Sequence, residues 1–204
     1  MNELESLRTA VLAHAGEFLC HQINDEHKVK TVHFRHGAVA PDLSVEVPDV
    51  AGIREFYAIF AELTLYVDEE SGEAAFFVAH PSQWPELADD FRPWLDGVDD
   101  DDSDLPDWVN RCIVVGEIPR SGNYLLIATT GAQAGRVFAF EHDGFEFVEL
   151  AETLPAFITQ LLDLDAARLN AIASHLRFMV AGDDRQWWIK TLRDNRGNLV
   201  STAR

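Results

Sequence analysis

The chain has 204 residues, 47% of them hydrophobic, which is enough to bury one sizeable core. Its 35 acidic and 16 basic side chains leave a formal net charge of −19. That sign repels nucleic acid and anionic membranes and attracts a basic partner, although it serves plain solubility equally well.

No apolar run approaches the roughly 18 residues that suggest a membrane span. The start, MNELESLRTAVLAHAGEFL, carries acids where a signal peptide carries cations. Cys20 and Cys112 form neither a metal-spaced pair nor a disulfide framework. The expectation is two reduced thiols in a cytoplasmic protein.

Leu4, Leu7, Val11 and Phe18 recur at helical spacing and predict an amphipathic helix over residues 3–19. Residues 28–47 carry six apolar positions with Gly37 and Pro41 between them, which reads as two short strands and a turn. Pro48-Asp49 reads as a helix start, with Ile53, Phe56, Phe60 and Leu63 as its buried stripe. LTLYVDEESGEAAFFVA then reads as a hairpin that bends at Ser71-Gly72. Trp84, Leu87, Phe91, Trp94 and Leu95 predict a short helix over 84–95, with Pro93 disturbing its end.

Residues 96–107, DGVDDDDSDLPD, break the pattern. Seven of these twelve are aspartate, whose mutual repulsion argues for a solvated loop. Beyond it, three runs predict strands at 124–129, 136–141 and 145–150, with glycines where the alternation stops. The short connections between them favour antiparallel neighbours. Gly122 and Gly144 are expected to take the positive φ that tight turns require. Thr153 and Pro155 predict a helix start, and a further helix is read from Asp165 to Met179. WWIKTLRDNRGNLV reads as strand, turn and short strand. Residues 176–204 carry six basic and three acidic side chains, so this tail is expected to dock on the acidic remainder.

The motifs of nucleotide loops, nucleophile elbows and zinc proteases are absent. His33 and His36 lie three apart on a predicted strand and so point to opposite faces. The aspartate run fails the calcium-loop pattern, because Asp104 stands at the glycine position and Asn110 at the final one. No catalytic residue, metal ligand or cofactor is expected.

Three segments together resemble the SUKH superfamily of cell-wall assembly regulators and bacterial immunity proteins. These are IREFYAIFAELTLYVDEESG, WVNRCIVVGEIPRSGNYLLIATTG, and GRVFAFEHDG followed by LAETLPAFITQLL. The resemblance covers about residues 48–165, within a single domain over 1–204 whose segments 1–47 and 166–204 are extensions packed on that core. It implies an α+β fold with a mainly antiparallel central sheet flanked by helices. It also implies a non-enzymatic protein-binding module of the kind that neutralises a cognate toxin, for example a basic nuclease. The alternative is a housekeeping regulatory protein of the same fold with no toxin partner.

Charge alone, and not the family motif, suggests the contact surface. The first choice is Asp99, Asp100, Asp101, Asp102 and Asp104, and the second is Asp68, Glu69 and Glu70.

Overall fold

The computed structural model describes residues 3–22, 25–96, 105–163, 187–194 and 196–202. In chain order the elements are α1 (Glu3–Ala13), β1 (Ala15–Gln22), β2 (Asp25–Val39), α2 (Ile53–Tyr57), β3 (Glu62–Asp68), β4 (Phe76–Val78) and α3 (Trp84–Phe91). Next come β5 (Cys112–Ile118), β6 (Asn123–Ala128), β7 (Val137–Glu141), β8 (Glu146–Ala151), α4 (Leu154–Leu162), β9 (Trp187–Asp194) and β10 (Leu199–Thr202). This is an α+β protein whose strand pairs β1–β2, β1–β9, β9–β10, β5–β6, β6–β7 and β7–β8 are all antiparallel.

The chain divides into two compact units. The first comprises residues 1–38, 63–77 and 159–204; the second comprises 39–62 and 78–158. The stretch 48–165 that carries the SUKH resemblance is therefore shared between them.

In the first unit the strands run in the order β10-β9-β1-β2-β3. The helix expected over 3–19 stops at Ala13, and Phe18 lies in a strand. Its alternation explains why: Gly16, Phe18 and Cys20 are buried while Glu17 and Leu19 are partly open, a period of two. Glycine at 16 also suits a strand here, since a Cβ would lie 2.2 Å from the carbonyl oxygen of Arg193. The two strands expected within 28–47 are instead one long strand, β2, with Val32, Phe34 and His36 buried alternately. Gly37 makes no turn. It admits Thr64, whose Oγ1 would stand 2.3 Å from an added Cβ and which donates to the Gly37 carbonyl.

In the second unit β5, β6, β7 and β8 are consecutive neighbours. Every residue of β6 is buried, and all but Asn123 at its start are apolar. The helix expected to begin at Pro48 forms only as α2, from Ile53. Gly52 precedes it with φ 83°, and a Cβ there would meet Thr153 at 2.8 Å. Glu55 closes the start by accepting from the Gly52 amide at 2.9 Å. Thr153 caps α4 as the sequence predicts, accepting from Ala156 N–H at 3.3 Å. Pro93 ends α3 in a tighter turn over Arg92–Trp94. The helix read from Asp165 to Met179 lies outside the described residues.

Candidate functional site

The first-choice aspartates, Asp99, Asp100, Asp101, Asp102 and Asp104, also lie outside the described residues. The second-choice group sits at the end of β3 in the first unit and divides. Asp68 is 1% exposed, so it is no surface carboxylate. It organises the turn instead, accepting from Ser71 Oγ at 2.7 Å and from Glu70 N–H at 3.1 Å, with Lys30 Nζ 3.5 Å away. The cause is local: a turn of this type needs a side-chain acceptor for its own amides. Glu69 and Glu70 do reach solvent, facing Arg35 at 3.7 Å and Lys30 at 3.4 Å.

The second unit presents a different surface. The tight turn after α3 carries Trp94 outward, 40% exposed. Its ring lies 5.1 Å from that of His142 and 6.2 Å from that of Phe140. His142 is fixed on both sides: Nδ1 faces Asn123 Oδ1 at 2.9 Å and Nε2 faces Asp143 at 2.9 Å. The β7–β8 turn then presents Phe145, 38% exposed, edge-on to Phe140 at 5.5 Å. Val148 follows on β8, also exposed.

Phe145 corrects the sequence reading of this turn. Gly144 was expected to take positive φ, yet it is Phe145 that adopts φ 50°. Gly122 does as expected, at φ 76°. A bulky residue in the left-handed region costs on the order of 1–3 kcal/mol. Alternation in the sequence marks Trp94, Phe145 and Phe147 as apolar but does not separate an exposed ring from a buried one. The sole hint is the order Asp-Gly-Phe, which puts the ring one position past the glycine.

Carboxylates surround this face. Glu117 is the cross-strand partner of Tyr124, and burial followed by the nearby charge of Asp90 raises its pKa. The Tyr124 hydroxyl is pushed up as well, chiefly by burial, with Asp90 and Glu117 adding to it. Arg92, the nearest cation in sequence to Trp94, is bound to Asp89 at 2.9 Å.

A cleft of about 510 Å³ also opens in the second unit, lined by the irregular segment 42–47, by Arg54 and Tyr57 of α2 with Ala58 just beyond it, and by His80. Four of its polar side chains are already engaged. Asp42 accepts from Ser44, which lowers its pKa; Arg54 pairs with Asp49 at 3.4 Å; Tyr57 donates to the Ala79 carbonyl at 2.7 Å; and His80 Nδ1 faces Ser82 Oγ at 2.7 Å. A ligand there would have to displace bonds the chain makes with itself.

Burial pushes the thiols of Cys20 and Cys112 up to about 12, which suppresses the reactive thiolate. Among the described residues no three His, Cys, Asp or Glu side chains are grouped to hold a metal ion, and no helix is long and apolar enough to cross a membrane. Comparison with protein-family models, with curated proteins and with solved structures gives no match.

Proposed function

We propose that the chain is a non-enzymatic protein-binding module with a SUKH-like fold, which acts in the cytoplasm as an immunity-type protein and neutralises a basic toxin. The observation that carries this reading is the exposed Trp94–Phe145 face set among carboxylates in a chain of net charge −19. Aromatic side chains that are rigid and partly open to solvent are the usual anchors of protein interfaces. An acid excess raises the encounter rate with a cation and rejects like-charged competitors. The turns and apolar pattern shared with the SUKH superfamily support the immunity role.

The test begins with a pull-down from the native host at low salt, released at high salt, followed by association rates for the purified partner. The expected partner is basic and arrests growth unless this chain is co-expressed. Replacing Asp99, Asp100, Asp101 and Asp102 with asparagine should slow association and flatten its salt dependence, since exposed charges are screened over about 10 Å at 0.1 M salt. Equal rates and equal salt slopes for wild type and variant would remove that segment from the contact surface. A partner that is acidic, or harmless when expressed alone, would overturn the reading.

A further inference from the structure

Trp94 and Phe145 are held in poses that folding alone does not require. Phe145 occupies the left-handed region beside a glycine that does not, and its ring remains 38% exposed. Glycine at position 145 would relieve that conformation. What it would give up inside the fold is edge contact with Phe140 at 5.5 Å and with Phe147 at 6.0 Å. Trp94 is likewise open to solvent, yet its ring packs against His142 at 5.1 Å and Phe140 at 6.2 Å. The result is a preorganised aromatic platform that loses little freedom when something binds it.

The surrounding charge defines what fits. Asp90 and Glu117 both lie beside Tyr124, and burial followed by the charge of Asp90 raises the pKa of Glu117. Asp143 reaches out 92% exposed from His142, and Glu146 follows at the start of β8. Arg92 is occupied by Asp89, and Arg120 sits on the turn between β5 and β6. A cation brought to this face gains both ring surface and carboxylates. Arginine exploits both better than lysine, because its planar guanidinium stacks on a ring while its fork meets a carboxylate.

We propose that the face formed by Trp94 and Phe145, with Asp90, Glu117 and Asp143 around it, docks an arginine-bearing loop of a cationic protein partner. This rests on the protein-binding reading and adds the chemistry of the contact. Phe145 keeps its unfavourable backbone so that its ring stands in the contact.

Fluorescence anisotropy with the full chain tests this, using a labelled nona-arginine peptide and its nona-lysine counterpart. The arginine peptide should bind roughly three- to tenfold tighter, the range expected of a cation stacked on one or two rings. Phe145→Gly should lose most of that preference while melting at or above the wild-type temperature. Trp94→Ala should lose it too, and Trp94→Phe should retain part of it. Should Trp94→Ala fail to fold, Phe145→Gly carries the test alone.

Equal affinity for both peptides, unchanged in Phe145→Gly, would overturn the docking face and leave the acid-driven reading standing. So would a Phe145→Gly variant that melts lower yet keeps its preference. Failure of both peptides to bind would overturn the face and the cationic-partner reading together.

Discussion

The amide of Tyr66 settles the protonation of two histidines. It donates to His36 Nδ1 at 2.9 Å, so that nitrogen carries a lone pair and the hydrogen of neutral His36 is on Nε2. Nε2–H in turn donates to His14 Nδ1 at 2.8 Å. Tyr66 can make the first bond because its backbone turns to φ 56° within β3, which removes its amide from the usual strand direction. Protonating His36 would set an N–H against the Tyr66 amide. Burial, and then His14, accordingly lower its pKa to about 3. Unfolded, the same imidazole takes its proton near pH 6.5, so between these values the unfolded chain holds more protons and acid favours unfolding. Stability from this group is complete above about pH 6.5 and falls by about 1.4 kcal/mol per unit as the pH drops toward 3. His36→Asn keeps an acceptor near the Nδ1 position but cannot titrate. Urea unfolding at pH 7.0, 6.0 and 5.0 should show a flatter pH slope for this variant. Equal slopes would mean that His36 is not the group that titrates.

At the scale of elements, the first unit depends on β1 having neighbours on both sides. It pairs β2 from Ala15 to Gln22 and pairs β9 from Gly16 to Gln22. Gly16 stands opposite Asp194, and there the backbone of β9 comes too close for any side chain. Gly16→Ala would place a methyl 2.2 Å from the Arg193 carbonyl oxygen, a backbone atom that cannot swing aside. The expected cost is about 1–3 kcal/mol, as for other overpacked sites. Limited proteolysis should then cut within 187–194 before the rest of the chain, and the urea midpoint should fall. Unchanged protection of 187–194 would mean that β9 adds little to the unit. The pairing also accounts for the apolar tail read from the sequence, since its strand bonds to the first strand of the chain.

For the whole molecule the dominant quantity is the net charge of −19. Self-repulsion of this size opposes compaction, and salt screens it. The ion pairs that salt weakens, such as Arg35–Glu69 and Arg54–Asp49, lie mostly at the surface and contribute little each. Screening should therefore win, and the melting temperature should rise by about 3–5 °C between 10 mM and 500 mM sodium chloride. Calorimetry at the two concentrations checks this. A lower melting temperature at high salt would show that attractive pairs such as Lys30–Asp68 outweigh the repulsion.

The sequence by itself determined the strands β6 to β8, the hairpin after β3, the cap at Thr153 and the opposite faces of His33 and His36. Each of these depends on neighbours two to four positions apart, and such contacts are written in local order. It misread Gly37 and Gly144 as turn glycines, because a glycine that makes room for a neighbouring side chain, as Gly37 does for Thr64, looks the same in the sequence as one that turns the chain. It also carried the first helix through Phe18, whose burial is set by pairing with β2 and β9 on either side. The bond from Tyr66 to His36 and the exposed rings of Trp94 and Phe145 were decided by tertiary structure alone. In each case residues far apart in the chain compete for one space or one hydrogen bond, and only the folded backbone says which side chain is left facing water.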